Sequence, residues 1–131
     1  MDALKPGLTG TAEMIVGTND AAPRVGSGRI AVLATPVMIN LIEEAALAAV
    51  EHRLPEGKQS LGIHLDVSHI AATPVGRRVT ATARLTEVDG RTLGFAVRAE
   101  DEDELIGEGA HRRVVVTAAS FLERLKRKAP R

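Results

Sequence analysis

The segment from Thr35 to Arg53 most constrains the fold, because it is apolar almost all round a helix. Thr35 is a good N-cap, and Pro36 suits the first helical position, where its missing N–H costs nothing. Pro55 and Gly57 indicate where the helix has to stop. A helix without a polar face is buried on most of its surface. The rest of the chain is therefore expected to wrap around it.

Alternation of apolar and polar residues predicts five strands around this helix. One precedes the helix and four follow it, at residues 8–16, 60–70, 77–88, 92–99 and 105–117. The alternation places these residues of the third and fourth strands on one inward face: Val79, Ala81, Ala83, Leu85, Leu93, Phe95 and Val97. The pair Asp89-Gly90 is typical of a two-residue hairpin turn, and residues 17–28, rich in Gly, Asn, Asp and Pro, indicate a loop. Ser120 and Glu123 have the spacing of a capping box, which predicts a short C-terminal helix.

A run of strands after a single helix is typical of an α+β fold with an antiparallel sheet. Such a sheet buries one face and needs a cover, which the apolar helix supplies. The sequence thus predicts the hotdog fold, a curved antiparallel sheet wrapped around one long buried helix. At 131 residues we expect a single domain over 1–131. A single helix cannot cover a sheet of this length, and open sheet edges pair readily with other strands. We therefore expect a homodimer or a higher homo-oligomer.

The composition excludes several classes of function. Lys and Arg balance Asp and Glu at 17 each, so no net charge attracts the chain to polyanions. Aromatic residues make up only 2% of the chain, which argues against base-stacking nucleic-acid sites. No cysteine is present, so disulfides and thiolate chemistry are excluded. We expect no metal, no cofactor, no nucleic-acid partner and no membrane partner, and a cytoplasmic location, because neither a signal-peptide pattern nor a membrane-spanning run is seen.

Two adjacent glutamates on the helix have different surroundings. Glu44 shares its helical stripe with Asn40 and Glu51 and mostly faces water, whereas Glu43 shares its stripe with apolar residues. A carboxylate on an apolar stripe is costly unless it is paired, hydrogen-bonded or protonated. Glu43 is therefore either a candidate general base or a helix-edge residue whose head reaches solvent.

The strand after the helix carries two histidines that a period of two places on opposite faces. The predicted apolar face contains Leu61, Ile63, Leu65, Val67 and His69, and the opposite face contains Gly62, His64, Asp66 and Ser68. His69 is either a satisfied residue at the rim of the core or a catalytic residue. Since His64 and Asp66 face away from His69, a regular strand cannot bring these three together as metal ligands.

Thr35 also has two interpretations. It caps the helix, or its hydroxyl, beside the free N–H groups and the positive end of the helix dipole, holds a developing oxyanion. Thr35 and Glu43 lie about 80° apart around the helix axis, so both can border one pocket.

Thr35 and Glu43 precede a set of short motifs that together indicate a family. The motifs are Ser60-Leu61-Gly62, Val67-Ser68-His69, Ala71-Ala72-Thr73-Pro74, Asp89-Gly90-Arg91 and residues 106–113. The combination, which covers residues 34–128, resembles the fluoroacetyl-coenzyme A thioesterases. The resemblance implies hydrolysis of an acyl-coenzyme A thioester by a dimer whose site lies near the subunit interface.

The same resemblance assigns roles to five residues. It places Thr35, Glu43 and His69 in the catalytic positions. Glu43 is implied to be nucleophile or base, His69 general base or acid, and Thr35 a hydrogen-bonding partner. Gly62, through its backbone, and Arg113 take the supporting, substrate-binding positions.

Two features depart from the family pattern. A Gly follows the catalytic Thr in the family, whereas this chain has Pro36, which offers no N–H to an oxyanion. The selective member of the family has Phe residues in a lid ahead of the helix, and residues 17–34 contain no aromatic residue. We therefore do not expect specificity for a fluorinated acyl group.

The sequence thus predicts an acyl-coenzyme A thioesterase, with coenzyme A as part of the substrate and the acyl group left open. One alternative is a non-catalytic hotdog module that binds an acyl thioester or a small apolar ligand. Another is a different hotdog reaction, such as dehydration of an acyl thioester. A Glu on the helix together with a His on the next strand favours hydrolysis over the binding module.

Overall fold

The computed structural model describes residues 1–130, so residue 131 of the predicted domain lies outside the described residues. The strands are β1 (Thr9–Ile15), β2 (Lys58–His69), β3 (Arg78–Asp89), β4 (Thr92–Asp101) and β5 (Leu105–Thr117). The helices are α1 (Ala22–Val25), α2 (Thr35–Val50) and α3 (Ala118–Leu125). Short 3₁₀ turns occupy Thr18–Asp20, Glu51–Arg53 and Lys126–Lys128.

The strands form one antiparallel sheet in the order β1-β3-β4-β5-β2. The two strands that flank α2 in sequence, β1 and β2, are thus the two edges of the sheet. α2 crosses beneath the sheet between them and packs mainly against β1 and β3. This antiparallel sheet on one long helix is the α+β hotdog architecture that the sequence predicted.

Small residues let α2 lie directly on the sheet. A Cβ at Gly10 of β1 would overlap the backbone of α2 at Ala45 and Ala49, so only glycine fits this contact. The inward residues predicted for β3 and β4 are all buried: Val79, Ala81, Ala83, Leu85, Leu93, Phe95 and Val97. The buried side of α2 consists of Met38, Leu41, Ile42, Ala45, Ala46, Ala49 and Val50.

The predicted cap of α2 is wrong. Thr35 is already the first helical residue, and Ala34 is the N-cap, without a side-chain capping bond. The Thr35 hydroxyl bonds His69 instead, so it does not serve the free N–H groups of the helix. At its other end the α-helix stops at Val50 and continues as the 3₁₀ turn.

Two other boundaries differ from the predictions. α3 begins at Ala118, after Thr117 as N-cap, so the capping box predicted at Ser120 is not used. The predicted loop at 17–28 contains α1, because Pro23 suits a first helical turn and Gly26 ends the helix with a φ of 99°.

A β-bulge in β2 overturns part of the predicted alternation. Gly62 pairs with Arg113 and His64 pairs with Arg112, so Ile63 has no partner on β5. One extra residue shifts a period-two pattern by one position. Residues on the two sides of the bulge therefore follow different alternations.

Ahead of the bulge the predicted faces are reversed. Gly62, predicted to face outward, points toward α2, while Leu61 and Ile63, predicted to face inward, are 37% and 53% exposed. Beyond the bulge the predicted faces are correct, because Leu65 and His69 pair with the buried His111 and Gly107. Leu65 faces inward but lies on the open edge of the sheet, where it is 41% exposed. The bulge thus brings Gly62 and His69 to the same face of β2.

Candidate active site

Glu43 projects from the middle of α2 toward the paired strands β2 and β5. Its side chain is 34% exposed, and its Oε2 accepts a hydrogen bond from Arg113 Nη1 at 3.1 Å. A Cβ at Gly62 would overlap the same oxygen, so the carboxylate rests against the backbone of β2. Arg113 supplies the partner that a carboxylate on an apolar stripe needs. We call Glu43, Gly62 and Arg113 the glutamate cluster.

Arg113 is buried and uses all three nitrogens of its guanidinium group. Nε donates to Ser60 Oγ at 2.8 Å, Nη2 donates to Ser60 O at 3.1 Å, and Nη1 donates to Glu43. Ser60 in turn donates to the Glu51 carboxylate from Oγ at 2.6 Å and from its N–H at 2.9 Å. Partners at every nitrogen compensate the cost of burying this charge. Sequence analysis missed Ser60 and Glu51.

Thr35 and His69 form a second group, the histidine cluster, at the N-terminal end of α2. Thr35 Oγ1 lies 2.8 Å from His69 Nδ1. His69 Nε2 is buried and, among the described residues, has no hydrogen-bond partner. Burial lowers the pKa of the His69 imidazole, because a low-dielectric environment disfavours the charged ring. A neutral imidazole with one unengaged nitrogen can take up and return a proton.

The two clusters remain separate within one chain. Thr35 and Glu43 are about 12 Å apart along the axis of α2. Within residues 1–130 no hydrogen bond joins the histidine cluster to the glutamate cluster. The structure therefore brings Thr35 to His69, and Glu43 to Gly62 and Arg113, but does not bring all five predicted residues into mutual contact.

His111 lies beside the glutamate cluster and was not predicted as a site residue. Its buried ring stacks on Phe95 with centroids 5.9 Å apart. Its Nε2 is 3.2 Å from Arg113 Nη1 and 4.0 Å from Glu43 Oε2. Burial lowers the pKa of His111. Its position two residues before Arg113 is the signal that was available, because a period of two puts both side chains on one face of β5.

Pro36 leaves one backbone donor at the start of α2. The N–H groups of Val37 and Met38 both donate to Ala34 O, and Pro36 has no N–H. In the described part of the chain this leaves the Thr35 N–H, next to the Thr35 hydroxyl, as the donor at the helix end.

A cavity of about 220 Å³ opens beside Thr35. Its remaining walls come from the segment ahead of α2: Ala22, Ser27, Gly28, Arg29, Ile30, Val32, Leu33 and Ala34. No wall residue is aromatic, so large ring side chains do not close this cavity. A larger cavity of about 780 Å³ lies on the opposite face of the sheet and contains no residue of either cluster.

The outer face of β2 carries His64 and Asp66, as predicted. They pair with the exposed residues Arg112 and Ala110, away from His69. Within residues 1–130, no group of three or more His, Cys, Asp or Glu side chains is placed to hold a metal ion. None of the described helices combines the length and the apolar character needed to cross a membrane.

Comparison with known proteins places the chain in a family. Residues 16–119 match the fluoroacetyl-CoA-specific thioesterases (FlK). A fluoroacetyl-CoA thioesterase from Streptantibioticus cattleyicolor is 41% identical over 99 residues, which are 76% of this chain and 71% of that protein. A solved structure of the fluoroacetyl-CoA thioesterase FlK superposes with a TM-score of 0.91 at 33% identity, covering 97% of this chain and 98% of that one.

A more distant structure supports the fold alone. A hot-dog-like protein from Thermanaerovibrio acidaminovorans superposes with a TM-score of 0.88 at 22% identity, covering 99% of this chain and 97% of that one. With a family match over most of the chain and a relative at 41% identity, the predicted resemblance is confirmed. The chain belongs to the fluoroacetyl-CoA thioesterase family.

Proposed function

We propose that this protein hydrolyses an acyl-coenzyme A thioester, with Glu43, His69 and Thr35 as its catalytic residues. The observation that carries the proposal is the Glu43 carboxylate, which Arg113 holds by Oε2. In the described chain its Oε1 has no hydrogen-bond partner, so one oxygen is positioned and the other is available to react. Membership of a thioesterase family supports the same reaction.

Glu43 can begin the reaction in either of two ways. As a nucleophile, its free oxygen attacks the thioester carbonyl carbon, the C–S bond breaks, and water then hydrolyses the resulting acyl anhydride. As a general base, it takes a proton from water, and the oxygen of that water attacks the same carbon. Both routes place the water hydroxyl on the acyl carbon and a proton on the sulfur of coenzyme A.

The histidine cluster supplies proton transfer and charge stabilisation. In the nucleophile route, the neutral His69 ring takes the proton of the water that hydrolyses the anhydride and passes it to the coenzyme A thiolate. In the general-base route, Glu43 takes the water proton and His69 relays it to the departing thiolate. Thr35 orients the ring through Nδ1. The Thr35 N–H, at the positive end of the helix dipole, stabilises the developing oxyanion in place of the donor that Pro36 lacks.

The proposed active form is a homodimer that pairs through β2. β2 is an edge strand, and Leu61, Ile63 and Leu65 on it are 37%, 53% and 41% exposed. An exposed apolar edge strand favours pairing with another strand. A second copy of the chain is the partner that the family resemblance implies.

Such pairing also accounts for the two separate clusters. When two β2 strands pair antiparallel, the His69 end of one strand lies beside the Gly62 end of the other. Neighbouring strands are only about 4.8 Å apart. The histidine cluster of one copy thereby approaches the glutamate cluster of its partner, and each dimer contains two complete sites.

The acyl group is proposed to be an apolar chain somewhat longer or bulkier than acetyl, without a preference for fluoroacetyl. The cavity beside Thr35 is bounded by residues without rings, which leaves room for an acyl group longer than acetyl. Coenzyme A is part of the substrate, so no cofactor is proposed. A cytoplasmic location stays a prediction from the sequence.

Release of the coenzyme A thiol from a panel of acyl-coenzyme A compounds tests the proposal. Glu43→Gln is expected to lower kcat/KM by at least about 100-fold, because it removes the base or nucleophile. Glu44→Gln, on the exposed side of the same helix, is the matched control and should stay near wild type. Equal, small effects would remove Glu43 from the mechanism. Acyl-coenzyme A binding without thiol release by the wild type would identify a binding module instead.

A further inference from the structure

His111 has a fixed tautomer. Its Nδ1 lies 2.8 Å from the backbone oxygen of His64, and a carbonyl oxygen only accepts hydrogen bonds. Nδ1 therefore carries the proton of the neutral ring. Nε2 is left with a lone pair, and this nitrogen faces the glutamate cluster.

The lone pair on Nε2 is directed at Arg113. The guanidinium Nη1, 3.2 Å away, only donates. Nη1 has two protons, and it directs one to His111 Nε2 and the other to Glu43 Oε2. The two acceptors together fix the orientation of Nη1, while Ser60 holds Nε and Nη2.

The surroundings keep His111 as an acceptor. The ring is buried and stacks on Phe95, and burial lowers its pKa. The charged groups that face the ring are Glu43 from α2 and Arg113 from β5. The His64 side chain lies on the outer face of β2, and a charge on it acts on His111 only at a distance. A proton on Nε2 would point at Nη1, so protonation would replace a hydrogen bond with repulsion between like charges.

We propose that His111 is a positioning residue for the hydrolysis reaction. By accepting a hydrogen bond from Arg113 Nη1, it fixes the direction in which Arg113 holds the Glu43 carboxylate. The role of His111 in catalysis rests on the proposed function, whereas its tautomer and its bond to Arg113 do not.

Two amide substitutions separate this role from simple packing. His111→Gln keeps an acceptor at the position of Nε2 for Arg113, and gives up the donor to His64 O. His111→Asn keeps a donor near the position of Nδ1 for His64 O, and gives up the acceptor for Arg113. Both substitutions remove the imidazole ring that stacks on Phe95. Asn is one methylene smaller than Gln, so thermal unfolding of both variants is measured beside the kinetics to separate a packing loss from the loss of the hydrogen bond.

The kinetic expectation is a split between these variants on the best acyl-coenzyme A substrate. His111→Asn should lower kcat by about 10-fold or more, as expected for the loss of a hydrogen bond to a charged group, with KM nearly unchanged. His111→Gln should stay within about threefold of wild type by the same argument. A His111→Asn enzyme with a kcat equal to or higher than that of His111→Gln would overturn the proposal.

A second measurement uses the wild-type protein and does not depend on activity. Nitrogen-15 NMR of the histidine rings near neutral pH should show His111 protonated at Nδ1 and unprotonated at Nε2. The opposite tautomer would overturn the proposal even if neither variant folds. Wild-type protein that hydrolyses none of the panel would contradict the proposed function while the ring spectrum still reports on His111.

Discussion

Gly62 and Glu43 meet across the gap between β2 and α2 so closely that a methyl group at Gly62 would overlap the carboxylate. The contact exists because the Glu43 side chain of α2 points at Gly62, the position of β2 that has no side chain. Arg113 then holds the same oxygen from β5. The glutamate cluster therefore depends on an absent side chain as much as on the two that are present.

Gly62→Ala is expected to lower kcat/KM by about 10- to 100-fold, because it would displace the Glu43 carboxylate that we propose to be catalytic, and a displacement of about 1 Å is costly. Steady-state kinetics checks this. Gly94→Ala is the control, since a Cβ there would meet Glu87 Cβ at 3.4 Å and Thr86 Oγ1 at 3.6 Å, which are ordinary contacts. Wild-type kinetics in Gly62→Ala would show that the carboxylate can move without loss.

His69→Ala should abolish most thioester hydrolysis, with a loss of at least about 100-fold in kcat, because it removes the imidazole that we propose to transfer the proton. His64→Ala should leave activity nearly intact, since that side chain is on the outer face of β2 and its backbone oxygen is unchanged. Thiol release by the two variants is compared at one substrate concentration series. A loss in His64→Ala as large as in His69→Ala would contradict the assignment of faces.

A dimer with shared sites predicts complementation between two inactive variants. Glu43→Gln and His69→Ala chains are unfolded together and refolded as a mixture, and the mass in solution should be that of a dimer. If each site combines clusters from two copies, half the dimers are mixed and each has one intact site, so about a quarter of wild-type activity returns. No recovery from a mixture shown to contain mixed dimers would place each site within one chain, and a monomeric mass would contradict the dimer.

Mild acid should destabilise the folded protein. Burial lowers the pKa of both His69 and His111 below their ordinary value of 6.5. Between their folded values and 6.5 the unfolded chain binds more protons, so stability is fully present above this window and is lost as the pH falls through it. Thermal unfolding measured across the window should show a smaller loss in His111→Gln than in wild type. His52→Gln, an exposed control, should behave as wild type, and equal slopes in all three would contradict the prediction.

Substrate selectivity is expected to be weak. The segment ahead of α2 has no aromatic residue, and one missing group in an apolar pocket changes binding by only about 1–3 kcal/mol. We expect similar kcat/KM for fluoroacetyl- and acetyl-coenzyme A and higher values for butyryl- or phenylacetyl-coenzyme A. A preference for the fluorinated substrate of about 1,000-fold or more, well beyond that range, would show that this segment does not set selectivity.

Periodicity identified α2 and the inward faces of β3 and β4 because those elements keep one period along their whole length. It failed at β2, where the single extra residue Ile63 reverses the two faces of the strand ahead of the bulge. The overall composition of β2 does not indicate a bulge. Thr35 was predicted as a cap because local sequence cannot show that His69, far along the chain, offers its hydroxyl a better partner.

The site was predictable to a similar extent. Glu43 stood out as a carboxylate on an apolar stripe, and the resemblance supplied Gly62 and Arg113. Ser60 and His111 were missed because their roles depend on hydrogen bonds that form only when β2 and β5 pair. Ser60 on β2 binds Arg113 on β5, and His111 on β5 binds the backbone of His64 on β2 as well as Arg113.

Because of the bulge at Ile63, the sequence spacing between Gly62 and His69 carries structural information in related chains. Gly62 and His69 are separated by an odd number of positions, yet both face α2, which a regular strand permits only for even separations. A relative that keeps the odd spacing has to keep the irregular strand as well, or one of the two residues turns outward. A relative with an even spacing needs no such irregularity. Counting positions between the glycine and the histidine therefore indicates, before any coordinates exist, whether a new sequence can assemble both clusters on one face.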